Sequence, residues 1–328
     1  MNKAQIMKKE TILRWGILST GRIAQQFCQD MKYVSNGELF AVAARNLKDA
    51  QSFAQQHNIA KAYEGYQMLF DDPNIDVIYI ATPHTFHFQN VYDALTAGKS
   101  VLCEKPITVS RNESELLSAL AQEKGLFLME AMWTYFLPAI QQAKQWVEQG
   151  RIGKIKHIKA DFGYPLPYEE TRREYHASLA GGCLLEMGIY PLAIAAFFAE
   201  SPMDNLSIKY HLAPNGVEDD VIILADAAEV KLTLATSFQC KLQNWAYIIG
   251  EEGYIAIPNF WRADQCTLYQ LDEQVDHFDD GRESLGLNYE AQAVGQAINE
   301  NRIEHPLMTH AVSHLLQQQM EDIKLLCK

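Results

Sequence analysis

Strand-like apolar runs alternate with helical patterns through roughly the first 130 residues, and this alternation restricts the possible folds more than any other feature. The runs lie at 13–18, 39–44, 77–81, 100–103 and 126–129. Between them Ile23, Phe27 and Met31 recur at four-residue spacing, Leu47, Ala50 and Ala54 at three to four, and Val91, Ala94 and Leu95 with Leu116, Leu117 and Leu120 repeat the pattern. Strands joined through helices can pair only in parallel, which predicts a doubly wound sheet with helices on both faces.

Beyond about residue 150 the texture changes. Short strand-like runs at 155–162, 221–225, 230–236, 246–249 and 254–257 are separated by hairpin-sized gaps, the signature of an open, mostly antiparallel sheet. Helical patterns at about 184–198, 289–300 and 309–326 are expected to cover one of its faces. The reading is therefore α/β with two domains, 1–130 and 131–328, a cleft between them, and a last helix free to pack back on the first domain.

A net charge of −13 argues against nucleic acid or an anionic membrane as partner, since both require a concentrated cationic face. The six cysteines are scattered without a CxxC pair and read as reduced thiols of a cytoplasmic protein. The first ten residues are polar and lysine-bearing, unlike a secretory leader, and no run reaches the ~18 uninterrupted apolar residues of a spanning helix.

Chemistry is expected at the C-terminal ends of the parallel strands, where open α/β sheets bind ligands. After the first strand comes Ser19-Thr20-Gly21-Arg22-Ile23-Ala24, a GxGxxA-like turn with serine at the first glycine. Gly21 lets the backbone approach a pyrophosphate, and Ala24 permits close helix-on-strand packing. The second strand ends at Arg45, with no acid to hold a ribose diol. A guanidinium there favours a 2′-phosphate, so NADP is the expected cofactor, with NAD possible. Thr82 and Pro83 fall at a third strand tip, and His84 and His87 follow in second-shell or cofactor-contacting positions without a third metal ligand at suitable spacing. Glu104-Lys105-Pro106 closes the run 100–103 and places a lysine at the same edge.

Taken with Ala-Thr-Pro-His-x-x-His at 81–87, Ala97-Gly98-Lys99-Ser100-Val101 leading into Glu104-Lys105-Pro106, and Gly-Gly-x-Leu-Leu-Glu-Met-Gly-Ile-Tyr at 181–190, the chain resembles the Gfo/Idh/MocA oxidoreductase family over essentially its whole length. Met129-Glu130-Ala131-Met132-Trp133-Thr134 and Tyr190 are most similar to its dimeric dihydrodiol dehydrogenase branch, whose members also act as NADP-dependent D-xylose dehydrogenases. Many members carry a histidine where this chain has Leu192.

The resemblance implies a Rossmann domain followed by an α/β domain whose open sheet mediates dimerisation. It further implies that Lys105 and Tyr190 are catalytic, that Trp133 and Glu186 line the substrate pocket, and that Ser19, Thr20, Gly21, Arg22, Ile23, Arg45, Thr82, Pro83, His84, His87, Glu104 and Lys105 contact the cofactor. The implied reaction moves a hydride between nicotinamide and a hydroxyl or carbonyl of a sugar, polyol or cyclic trans-diol. The same family also includes a non-catalytic NADP-binding regulator and an NAD-assisted glycosidase. A tyrosine of ordinary pKa about 10 is a poor base near neutrality, so Lys105 is expected to lower the Tyr190 pKa and share the proton with it. Arg172 and Arg173, in the polar loop after Pro165-Leu166-Pro167, read as solvated.

Overall fold

A computed structural model describes residues 11–327; the reading of the lysine-bearing N-terminus falls outside them. Six strands, β1 (Leu13–Leu18), β2 (Gly37–Ala44), β3 (Lys61–Glu64), β4 (Val77–Ile80), β5 (Ser100–Glu104) and β6 (Leu128–Ala131), form one sheet in the order β3-β2-β1-β4-β5-β6. Every pairing in it is parallel. All residues of β4 and β5 are buried, as expected for strands covered on both faces. The connecting helices are α1 (Arg22–Asp30), α2 (Leu47–His57), α3 (Gln67–Asp71), α4 (His87–Thr96) and α5 (Arg111–Lys124). Ordinary local chemistry ends them: the Asn46 and Ser110 side chains accept from the third residue of their helices, and Asn58 and Gly125 stop them in the left-handed conformation.

After α6 (Pro138–Glu148) comes β7 (Ile155–Gly163), then a helical segment with a π turn at Leu184–Gly188 that runs into α7 (Ile189–Ala199). Seven further strands follow: β8 (Asp204–Leu212), β9 (Glu218–Ala227), β10 (Val230–Ser237), β11 (Trp245–Gly250), β12 (Tyr254–Pro258), β13 (Gln265–Gln270) and β14 (Glu273–Asp279). With β7 they make an eight-stranded sheet ordered β14-β13-β12-β11-β7-β10-β9-β8, antiparallel apart from the β7–β10 pair. The stretch Ala177–Ala199 is long and apolar enough to span a bilayer, yet 78% of its most apolar 18-residue window is buried inside the fold. Its α7 part is a core helix packed on β7 and β10 of the second sheet.

Two late helices tie the halves together. The first, α8 (Leu287–Asn299), begins against the end of α1, where the buried Asp30 carboxylate accepts from the backbone N–H groups of Leu285, Gly286 and Leu287 at 3.0, 2.9 and 2.9 Å. A carboxylate at a helix N-terminus satisfies orphan donors and meets the positive end of the dipole. The second, α9 (His310–Leu326), lies along α5, with Glu321 accepting from the Arg111 N–H at 2.8 Å and His314 bonded to Ser118 at 2.9 Å. These contacts fix the cleft that opens along the C-terminal edge of the parallel sheet.

Candidate active site

One continuous cleft of about 780 Å³ is lined by Ser19 to Ile23 and Arg45 at one end and by Lys105, Trp133, Glu186 and Tyr190 at the other, with Thr82, Pro83, His84, His87 and Glu104 between. All the sequence-predicted site residues therefore meet in one space.

At the first end the chain leaves β1 through Ser19, whose φ of 106° lies in a region that serine seldom occupies and glycine adopts freely. The Ser19 hydroxyl accepts from the Gly21 N–H at 3.2 Å. Gly21 caps α1 with no side-chain bond, and the first turn of the helix carries no acid. Its orphan N–H groups thus face open cleft, and a Cβ on Gly21 would meet only the Ser19 hydroxyl, at 3.5 Å. Arg45 is exposed at the tip of β2, beside Tyr66 and Asp49. Burial raises the Tyr66 pKa and the Arg45 charge works against that rise, which places the cation close to the phenol. An uncapped helix end and an arginine at the tip of β2, with no acid at the strand end itself, fit a 2′-phosphorylated dinucleotide.

The middle of the cleft is held from behind. His87 is fully buried, and its two ring nitrogens lie 2.7 Å from the carbonyl oxygens of Thr82 and Pro106. It therefore joins the loop after β4 to the loop after β5. Glu130 fastens the same second loop by accepting from the Ile107 N–H at 2.9 Å, and burial pushes its own pKa up to about 7. Glu104 turns toward the core, where it accepts from the Tyr79 hydroxyl, and burial raises its pKa. Its part in the cleft is consequently to anchor Lys105 more than to meet a ligand.

At the far end the Lys105 ammonium nitrogen donates to the Glu186 carbonyl oxygen at 2.7 Å and lies 4.8 Å from the centre of the Tyr190 ring. Removal from water lowers the Lys105 pKa, against the opposing pull of Glu186 and Glu104. The Tyr190 oxygen accepts from the Trp133 indole N–H at 3.1 Å. Its pKa is raised by burial and by the nearby negative charges of Glu104 and Glu186, which the indole bond opposes without reversing. The expectation that Lys105 draws the Tyr190 pKa down is thus corrected. The lysine lies over the ring face, and burial governs the phenol.

Glu186 projects from the π turn that precedes α7. A Cβ on Gly182, at φ +134°, would run into the buried Glu218 carboxylate, so glycine is required where this helix starts. Burial alone would raise the Glu186 pKa, but Lys105 and Arg173 outweigh it and hold the carboxylate at about 2. Arg173 donates to both Glu186 oxygens at 2.9 Å, so the reading of this arginine as solvated is also corrected. His84 Nε2 stands 3.6 Å from the same carboxylate, and burial drives the imidazole pKa well down. Phe162, stacked on Trp261 at 4.2 Å and edge-on to Tyr190 at 5.5 Å, completes an aromatic wall with Trp133. Arg173, Tyr66, Phe162 and Trp261 are among the lining residues missed in the sequence; of these only Phe162, at the end of the strand expected over 155–162, offered a signal.

The profile of an oxidoreductase family with an NAD-binding Rossmann fold matches residues 13–132, and that of the GFO/IDH/MocA C-terminal domain matches residues 140–256. The chain belongs to the Gfo/Idh/MocA oxidoreductase family. It is 34% identical over 321 residues to a trans-1,2-dihydrobenzene-1,2-diol dehydrogenase of Mus musculus, covering 95% of this chain and 96% of that one. The Homo sapiens protein of the same name is 33% identical over 325 residues, with the same coverage. Among solved structures, an aldose-aldose oxidoreductase from Caulobacter crescentus complexed with glycerol superposes with a TM-score of 0.88 at 19% identity, covering 95% of this chain and 96% of that one. A 3-ketoreductase from Actinomadura kijaniata, solved with NADP and TDP-benzene, gives 0.85 at 24% identity over 95% of this chain and 97% of its own. The relatives named here are oxidoreductases, and the two-sheet fold is theirs.

Proposed function

We propose that this Gfo/Idh/MocA member is an NADP-dependent oxidoreductase acting on a CH–OH group of a cyclic trans-diol, sugar or polyol. The observation that carries the reading is the single cleft joining the Arg45 cation and the uncapped α1 terminus to Lys105, Tyr190 and Glu186. Near full-length similarity to dihydrodiol dehydrogenases supports it.

In this reading Ser19, Gly21 and the first turn of α1 hold the pyrophosphate, Arg45 holds the 2′-phosphate, and Thr82, Pro83 and His84 flank the nicotinamide half. NADP⁺, when bound, supplies the hydride acceptor. The protein has to take the hydroxyl proton, and in this reading Lys105 takes it, supported by its place in the cleft over the Tyr190 ring and by its lowered pKa beside the raised one of the phenol. Its depressed pKa makes a neutral amine accessible, which can keep donating to the Glu186 carbonyl while offering its lone pair to the substrate hydroxyl. Tyr190 stays protonated. Its oxygen accepts from Trp133, which leaves its O–H to donate to the substrate oxygen and orient it. In the reductive direction the same two donors polarise the carbonyl.

We further propose a homodimer formed through the open sheet, whose outer face exposes Ile222 and Leu224 on β9. Ile222→Glu with Leu224→Glu is expected to sediment as a monomer where the parent sediments as a dimer. Five of the six cysteines are buried free thiols, which supports a reducing, cytoplasmic setting.

The test is a panel of trans-cyclohexanediols, aldoses and inositols, followed by reduced-nicotinamide absorbance with NADP and NAD in parallel. Turnover of at least one diol or sugar with NADP preferred is the expected result. Tight NADP binding without turnover of any of them would replace the enzyme by a regulator.

A further inference from the structure

The loop at 164–180 reaches the cleft with one side chain already placed. Arg173 opens a short 3₁₀ turn, Arg173–Tyr175, that is built into the fold at several points. The Glu174 carbonyl accepts from the Gly182 N–H at 2.9 Å, the Tyr175 carbonyl accepts from the Asn215 side chain at 2.6 Å, and the Tyr175 hydroxyl donates to the Leu166 carbonyl at 2.8 Å. A Cβ on Gly181 would lie 2.7 Å from the Glu174 oxygen, so the turn and the start of the helix bearing Glu186 and Tyr190 close directly on one another. From that base the Arg173 guanidinium crosses to Glu186 and bonds both carboxylate oxygens through one nitrogen. Its side chain is 34% exposed and that of Glu186 is 21% exposed, so the pair forms a wall of the cleft open to an incoming molecule. On its inner side stands His84, buried, with Nδ1 lacking any partner.

We propose that Arg173 is a specificity-determining residue: through its ion pair with Glu186 it makes a paired donor and acceptor that recognises the second hydroxyl of a vicinal diol. The inference rests on the CH–OH oxidoreductase reading and deepens it. While Lys105 and Tyr190 engage the reacting hydroxyl, a neighbouring hydroxyl can donate to Glu186 and accept from Arg173, whose guanidinium also lies 3.7 Å from the Glu174 carboxylate on the cleft wall. A hydrogen bond to a charged group is worth about 1.5–3 kcal/mol, or roughly a 10- to 100-fold preference over an alcohol lacking that hydroxyl. After Lys105, the arginine is the next contributor that holds Glu186 ionised against burial.

The experiment compares kcat/KM for trans-cyclohexane-1,2-diol and cyclohexanol with NADP, in the parent enzyme and in Arg173→Ala, Arg173→Lys and Glu186→Gln, with NADP affinity and thermal melting as folding controls. The diol-to-alcohol ratio is expected to be about tenfold or more in the parent, to fall at least fivefold in Arg173→Ala, and to be partly recovered in Arg173→Lys. Adding Arg173→Ala to Glu186→Gln is expected to lower the ratio no further. A ratio that stays within twofold of the parent in Arg173→Ala would overturn the inference, because a loosened loop lowers both rates together. A parent that oxidises both alcohols without preference would overturn it equally. If the parent oxidises neither of these nor any sugar or polyol, the functional reading itself fails. Should Arg173→Ala not fold, the Lys variant and Glu186→Gln carry the same comparison.

Discussion

The two ends of the cleft use opposite physics. At the Arg45 end the lining groups are exposed or half-exposed, and what they offer a ligand is the backbone of the Ser19–Ile23 turn and the cations of Arg22 and Arg45. At the Lys105 end Lys105, Tyr190, Glu186 and His84 all have pKa values displaced by burial or by one another. Water screens the first end, so its contribution is affinity and cofactor choice; exclusion of water from the second makes each charge count and sets the proton chemistry. Substitutions at the two ends are expected to fail in different ways.

The largest effect is expected for Lys105→Met, which removes the proton acceptor. Turnover of the best diol or sugar is predicted to drop about 10²- to 10⁴-fold with NADP affinity retained, as read by steady-state kinetics and by cofactor fluorescence titration. Loss of NADP binding in proportion would erase the distinction between the ends. Arg45→Asp is the complementary case. NADP affinity is predicted to weaken about 10- to 100-fold relative to NAD, with kcat on saturating NAD preserved. Equal losses for the two cofactors would show that Arg45 does not discriminate between them.

Glu186→Gln tests the electrostatics of the buried end. Glu186 raises the Lys105 pKa, so removing its charge moves the rising limb of kcat/KM against pH, for oxidation, to lower pH. A limb moving upward would contradict the assignment. Trp133→Phe is the mildest. It deletes the N–H that the Tyr190 oxygen accepts, and a fall of about fivefold in kcat is expected from the loss of one neutral hydrogen bond.

The fold was legible where burial leaves a pattern. Each parallel-sheet strand with a continuous apolar run was found; β3 was not, because as an edge strand it is only half buried and reads Lys-Ala-Tyr-Glu. Strand β8 was missed for a similar reason, since nearly every residue in it is exposed or half-exposed, and β13 and β14 are largely polar. In the site, Lys105, Arg45 and the Ser19–Ala24 turn were legible because strand ends and helix starts mark them locally. Arg173 was not, since its placement depends on a turn closing against Gly181 and Gly182, and nothing near it in sequence signals that contact. Asp30 lay in an unremarkable helix, and its role appears only when the chain returns 255 to 257 residues later. The Tyr190 pKa was misjudged for the same physical reason: proximity of a lysine can be guessed from motifs, but the depth of burial that outweighs it cannot.

The measurement that bears most directly on the account is the pH dependence of single-turnover hydride transfer in the parent and in Tyr190→Phe. With Lys105 as the titrating base and Tyr190 as a protonated donor, the rising limb is expected to persist in Tyr190→Phe at reduced amplitude and nearly unchanged midpoint. Disappearance of the limb in that variant would contradict the account and return the proton to the tyrosine.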